Sequence, residues 1–234
     1  MTQKINMQKV LAPAALIILY IFFSITGRNF FGADGLKQIL QSCYYIGYMA
    51  FGVTFVIITG GIDLSLGSLM LCSALLGCCA YSSWGWPLWL SLLLILAIGL
   101  FFGFCNGVMI AKLKLPPFIA TLGTQMITLG FGSIVTKVRT MYFPSVGSKD
   151  EWFRSLFYVN GTFPTGIIWL IGAFVVAWFL LNKTRFGRYA FAIGSNEEAA
   201  RLSGVKVDRW KIAVYVVCGL FIAMAGIFYG AAYT

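Results

Sequence analysis

The segment Thr59-Gly60-Gly61-Ile62-Asp63-Leu64-Ser65-Leu66-Gly67-Ser68 puts a carboxylate, three hydroxyls and three glycines into an oily stretch, and Asp63 is the one formal charge between Lys37 and Lys112. In a bilayer such a charge costs ~2.5–3.5 kcal/mol on insertion scales, so it must be paired, capped or facing water. Two chemistries suit it. As an N-cap, the carboxylate accepts from amides near Ser65 or Leu66, where the helix dipole also favours it. As a site, it touches a polar solute directly. Gly60 and Gly61 permit an unwound turn before it, and irregular backbone at this depth is tolerated where protein buries it or a water-filled cavity meets it. The two readings can coexist.

The remaining polar residues of the apolar stretches, Asn106, Thr121, Thr124, Gln125, Thr128 and Ser133, are uncharged. They offer no proton relay and suit a neutral, hydrogen-bonding solute. Thr59, Gly60, Gly61, Asp63, Ser65, Ser68, Asn106 and Thr121 are the candidate path residues, although Asn106 suits a bridge between two helices better than the lining of a pore. Catalysis is disfavoured. There is no histidine, and Asp34, Asp150, Glu151, Glu197, Glu198 and Asp208 fall in loops, so the usual acids and bases are missing or misplaced. No GxxxxGK[ST] phosphate loop occurs. The six cysteines (Cys43, Cys72, Cys78, Cys79, Cys105, Cys218) lie in apolar runs without a CxxC pair, so no disulfide, metal site, cofactor or catalytic residue is expected. The net charge of +10 is scattered over loops rather than gathered into a stripe. That fits attraction to anionic lipid on an inner leaflet better than nucleic acid.

Membrane helices must position these residues. Hydrophobic types make up 60% of the chain and charged types 10%, where a soluble domain is ~25% charged. The charges leave uncharged runs at 10–27, 38–62, 64–111, 115–136, 155–182 and 212–234. Since ~20 residues cross ~30 Å of hydrocarbon, five runs hold one span each and the longest holds two. The expectation is an all-α polytopic membrane protein, one domain over 1–234. It has about seven transmembrane helices, near 10–26, 39–58, 64–82, 88–110, 117–136, 164–181 and 212–231, with a broken helix near 59–65. Trp84-Gly85-Trp86-Pro87 divides the third from the fourth. Alternating ~10-residue segments of the barrel kind are absent. Lys4 and Lys9 precede the first run in the manner of a signal peptide, but no small-x-small site follows and Gly27-Arg28 ends it, which predicts an uncleaved span. With the N-terminus inside, eleven of the seventeen Lys and Arg fall inside and six outside, which favours that orientation. Gly99, Gly103 and Gly107 recur every four residues, and Gly226 and Gly230 are likewise spaced, as close helix packing requires.

The inner loop 182–211 carries a second signal. Ser195-Asn196-Glu197-Glu198 has the S-x-x-E form of a capping box, Ala199-Ala200-Arg201-Leu202 continues as helix, and Gly204 is placed to end it. So short a helix is marginal alone in water. Its alanine-rich face anchors poorly on lipid, so it needs a partner surface.

Three motifs occur in order: Gly60-Gly61-Ile62-Asp63-Leu64-Ser65-Leu66-Gly67-Ser68, Lys114-Leu115-Pro116-Pro117-Phe118-Ile119-Ala120-Thr121-Leu122-Gly123, and Thr184-Arg185-Phe186-Gly187 followed by Ala192-Ile193-Gly194 through Val205. On these the chain resembles the membrane permease subunits of bacterial ribose-type (monosaccharide) ABC importers. The resemblance implies a homodimer with a second permease copy in the bacterial inner membrane. It also implies a periplasmic or lipoprotein sugar-binding protein as feeder and a separate cytoplasmic ATP-binding subunit as motor. It assigns ATPase coupling to Gly194, Ser195, Asn196, Glu197, Glu198, Ala199, Ala200, Arg201, Leu202, Ser203 and Gly204. It places the Gly60 to Ser65 segment beside the translocation path and implies alternating access. Members of this family continue with further spans, so the chain reads as lacking a C-terminal part. The outer loop 137–164, with Arg139, Lys149, Asp150, Glu151, Trp152 and Arg154, suits contact with the binding protein or a plain surface lid. An ion-coupled secondary transporter would show inverted repeats and a coupling-ion site, and a structural membrane subunit would need no polar path. Which sugar, related signal molecule or nucleoside is carried stays open.

Overall fold

The structure, a computed structural model, describes residues 7–27, 30, 32–144, 147–157 and 165–233. Lys4, Arg28 and the outer-loop stretch 158–164 lie outside them. The described residues form ten helices and no strand: α1 (Met7–Thr26), α2 (Ala33–Ile58), α3 (Leu66–Ser82), α4 (Leu88–Ala111), α5 (Pro117–Thr136), α6 (Trp152–Phe157), α7 (Gly166–Lys183), α8 (Arg185–Ser195), α9 (Glu197–Leu202) and α10 (Val207–Tyr233). The chain is an all-α membrane protein.

The expected count of seven spans is not reached by length. Among the described residues, five helices are long and apolar enough to cross a membrane, within α2, α4, α5, α7 and α10. Two shorter apolar helices, Pro13–Thr26 and Leu66–Ser82, accompany them. In α3 the reason is the break: unwinding from Thr59 to Ser65 leaves a helix of 17 residues, ~25 Å at 1.5 Å per residue. α10 departs in the other direction. It begins at Val207, five residues before the expected boundary, because a charged first turn (Asp208, Arg209, Lys211) can be helical while still in water.

Two compact units result, Met1–Leu40 and Gln41–Thr234. In the first, the ring of Phe30 packs on Tyr20 and Phe23 at centroid distances of 5.6 and 5.9 Å. The core of the second is built around α4 and α10, with α3 packed on both and on α5. α4 and α10 meet through glycine. A β-carbon on Gly103 would lie 2.5 Å from the Tyr215 carbonyl oxygen, one on Gly107 would lie 2.8 Å from the Ile212 α-carbon, and one on Gly99 would overlap the Gly219 carbonyl. The expected packing role of Gly99, Gly103 and Gly107 is thus seen directly, with Gly219 as the partner that sequence spacing missed. Gly226 approaches Ser73 and Met70 of α3, and Gly230 the ring of Phe143.

Away from this core, α7 buries only Gly166, Ala173 and Ala177 and exposes Ile168, Phe174, Val175 and Phe179. Such a face is compatible with hydrocarbon as its solvent. Part of the loop 137–164 is packed down. Phe143 and Phe153 join Leu88, Ile95, Ala223 and Ala231 in one apolar cluster, and the Tyr81 hydroxyl donates to Asp150 Oδ2 at 3.3 Å.

Candidate functional site

α2 ends at Ile58, and Gly60, at φ +74°, turns the chain into an extended stretch before α3. Asp63 then fastens the start of α3 from two residues before its cap. Its Oδ1 accepts from the Ser65 amide at 2.8 Å and from the Ser65 hydroxyl at 2.6 Å. The cap position itself is Ser65, whose side chain makes no cap bond because its hydroxyl is spent on Asp63. The amide near Ser65 is the one the cap reading expected, but Asp63 reaches it from outside the cap position.

From Ser65 the bonding passes to α4 and α5. Asn106 Nδ2 donates to Ser65 Oγ at 3.2 Å, and the Thr124 hydroxyl donates to Asn106 Oδ1. The Leu64 amide donates to Thr121 Oγ1 at 3.1 Å, and Thr121 donates on to the Pro117 carbonyl at 2.8 Å. α10 closes the other side, where the Tyr215 hydroxyl donates to the Ile62 carbonyl at 3.2 Å and the Cys218 thiol lies 3.8 Å from Asp63 Oδ2. Ser65, Asn106, Thr121 and Cys218 are fully buried. Among the described residues no cation pairs with Asp63, so hydrogen bonds alone compensate it. Buried polar groups that lose such partners cost ~1–3 kcal/mol each, which ties the break to three helices at once.

The structure therefore brings Asp63, Ser65, Asn106 and Thr121 together and gives Asn106 the bridging geometry. The other candidates serve the turn or their own backbone. Thr59 donates to the Val56 carbonyl at 2.8 Å and Ser68 to the Ser65 carbonyl at 2.9 Å, while Gly61 leaves room for Tyr215, whose hydroxyl would lie 2.8 Å from an added β-carbon. Tyr215 and Cys218 were not anticipated. Their i,i+3 spacing on a polar-poor helix was the available signal.

The segment 182–211 holds two helices, α8 and α9, rather than one. In α8 the apolar Phe186, Ala190 and Ile193 share a face, and Phe186 packs on Phe55 and Trp210 at centroid distances of 5.4 and 6.1 Å. Ser195 ends α8, so it cannot cap α9. The cap is Asn196, which is extended and accepts from the Ala199 amide at 3.0 Å. The cap is thus displaced by one residue and no capping box forms, since the third helical position is Ala199 and Glu198 makes no such bond. Gly204, at φ +84°, does follow the end of α9 as expected. Ala200 packs on Ile193 and Val207. Ion pairs hold the outer surface of α9 in place: Glu197 meets Lys211 at 2.6 Å and Arg201 at 3.3 Å, while Asp208 meets Arg201 at 3.3 Å and Lys114 at 3.0 Å. Leu202 is left 84% exposed. At the other end, Gly194 sits on the Ile58 carbonyl so closely that a β-carbon there would overlap it. The last turn of α8 thus rests where α2 breaks.

The hydrogen bond from Lys211, with Arg201 adding to it, holds the Glu197 carboxyl below the usual carboxylate range. A depressed pKa in the folded state stabilises α9 above the ordinary carboxylate pKa, and this is lost as pH falls through the depressed value. Solvent screening keeps the effect below ~1 kcal/mol. Amide-exchange protection of α9 is expected to fall modestly on acidification through the carboxylate range and to show a weaker dependence in Glu197→Gln, where the Asp208–Arg201 pair still titrates. Identical pH profiles in both proteins would show that the pair contributes nothing.

Among curated proteins, the chain is similar to a fructose import permease of Rhizobium meliloti, at 34% identity over 92% of this chain and 62% of the relative. It is 38% identical to the ribose import permease of Escherichia coli K12 over 91% of this chain and 66% of the relative. An L-arabinose transport system permease of the same organism is 36% identical over 90% and 62%. The chain spans a little under two thirds of the length of these relatives. No solved structure matches it. Residues 35–234 match the family described as branched-chain amino acid transport system / permease component, and the chain, with its run of apolar helices, belongs to that permease family.

Proposed function

We propose that the chain is the membrane permease part of an ABC importer that passes a small neutral sugar, ribose or a related solute, inward. It performs no catalysis of its own; a separate cytoplasmic ATP-binding subunit supplies the energy. The observation that carries this reading is the similarity to fructose, ribose and arabinose permeases over about nine tenths of the chain. The other partners are a periplasmic or lipoprotein sugar-binding protein and a second permease copy, in the bacterial inner membrane with the N-terminus cytoplasmic. The two shorter apolar helices complete seven crossings, the extended Ile62 to Ser65 segment supplying the length that α3 lacks, within one permease domain.

In this reading the residues from Gly194 to Gly204 form the coupling surface, with the exposed Leu202 and Glu198 facing the ATP-binding subunit. α8 passes movement to the end of α2, and the Thr59 to Ser68 segment, fastened through Asp63, Ser65, Asn106 and Thr121, borders the path whose opening alternates between the two sides. The test is uptake by proteoliposomes holding the permease complex. Sugar is expected to accumulate only with the ATP-binding subunit present and ATP available, and Glu198→Lys should lower uptake at least tenfold, roughly 1.4 kcal/mol of lost coupling, without unfolding the permease. Uptake without the ATP-binding subunit would sink the importer reading; normal uptake by Glu198→Lys would sink the coupling surface.

A further inference from the structure

On the inner side, a cavity of about 480 Å³ opens between α8 and the first turns of α10, lined by Arg185, Tyr189, Lys206, Arg209 and Trp210. Its volume lies within the ~300–1,000 Å³ of small-molecule sites. Three cations converge on it and no carboxylate lines it. The neighbouring acids Glu197 and Asp208 are committed to Lys211, Arg201 and Lys114, and among the described residues Arg185, Lys206 and Arg209 form no ion pair. Excess positive charge gathered in one concavity calls for an anion.

The level of the cavity indicates which anion. Arg185 lies two residues beyond Lys183, the last residue of the apolar α7, and Lys183 Nζ lies 5.6 Å from the Trp178 ring centroid. Lys206 immediately precedes α10 and Arg209 lies in its first turn, at the head of that apolar span. Two spans therefore leave the hydrocarbon at this cavity. Tyr189 and Trp210, ring centroids 4.8 Å apart, form its wall, and such amphipathic rings favour the headgroup zone. A phosphate at that height belongs to a lipid.

We infer that this cavity binds the headgroup of an anionic phospholipid, with Arg185, Lys206 and Arg209 on the phosphate and Tyr189 and Trp210 against the glycerol region. Basic pockets between spans on the cytoplasmic side hold lipid headgroups by this chemistry. The leaflet rests on the orientation proposed above, whereas the choice of an anionic over a zwitterionic lipid does not. The bound lipid would pin α8 to α10 and so fix the height from which α9 is presented.

The test uses the complete protein in nanodiscs of phosphatidylcholine carrying a trace of photoactivatable phosphatidylglycerol or photoactivatable phosphatidylcholine, with labelled peptides mapped by mass spectrometry. Phosphatidylglycerol is expected to label 185–213 at least tenfold more than phosphatidylcholine, because clustered cations at the membrane surface favour the anionic headgroup. Arg185→Gln combined with Lys206→Gln and Arg209→Gln should bring the two to equality, while Arg209→Lys should retain the preference. Equal labelling of the native protein by both lipids overturns the inference, and so does undiminished preference in the triple variant. Competition by inorganic phosphate would make it a free-anion site, and protection by the ATP-binding subunit would make it a protein contact; either also overturns it. The native protein alone decides the lipid arms if the triple variant does not fold. The readout is independent of transport, so its failure leaves the importer reading standing, and the reverse holds.

Discussion

In the proposed importer, Gly194→Ala is expected to lower ATP-dependent uptake at least tenfold while the protein still assembles in the membrane. The added methyl carbon would overlap the Ile58 carbonyl oxygen. That atom is backbone at the end of α2 and cannot rotate away as a side chain could. The last turn of α8 must therefore lift, or α2 must yield at its end, and misfit of this kind costs ~1–3 kcal/mol. The loss falls on one seam and leaves the helix core intact, so uptake should suffer more than thermal stability. Gly123→Ala is the matched control. Nothing lies within 4 Å of a β-carbon there, and alanine is the better helix former, so uptake should stay within about twofold. Normal uptake by Gly194→Ala would mean that the contact between α8 and α2 does not carry coupling.

The larger effect on stability belongs to Gly103→Val. Its β-carbon alone would lie 2.5 Å from the Tyr215 carbonyl oxygen and 3.2 Å from the Gly219 α-carbon, and valine adds two methyl groups with a restricted χ1. Both neighbours are α10 backbone, so the helices must part. Parting them also pulls Tyr215 off the Ile62 carbonyl and Cys218 off Asp63, so the packing and polar losses come together, several kcal/mol in sum. The variant is expected to lose its monodisperse peak in detergent and to melt at least ~5 °C lower. Gly130→Ala, with open space around its β-carbon, should melt within about a degree of the native protein. A Gly103→Val protein of native melting temperature would refute the close approach of α4 and α10.

Much of this architecture was legible because hydropathy and charge act locally. The apolar runs located the main helices to within a few residues, and the two glycines before Asp63 located the break. What escaped was set by partners distant in sequence. Ser65 lies 41 residues from Asn106, and Tyr215 lies 153 from Ile62; no period or motif reports such pairs. Asn106 was legible as a bridge, but what it bridges was not. The cap of α9 failed for a local reason. Ser195 satisfies the S-x-x-E spacing, yet α8 runs through it, and a residue with helical backbone cannot offer the extended geometry a cap needs. Helix α8 itself was hidden because Arg185 and Arg188 read as loop charges, although Phe186, Ala190 and Ile193 keep helical spacing. The break near 59–65 was expected, but the third span was set at 64–82; the chain stays unwound through Ser65, which leaves α3 only 17 residues long.

The glycine seam has a consequence for how the protein is made. Gly103 and its counterpart Gly219 are separated by more than a hundred residues, so at ~5–20 residues per second α4 waits on the order of ten seconds in the membrane before α10 emerges. Throughout that interval Asp63 also lacks Cys218, and the Ile62 carbonyl lacks Tyr215. Until α10 arrives the nascent chain keeps its most expensive polar groups only partly matched, which makes this interval a period in which membrane quality control has much to recognise.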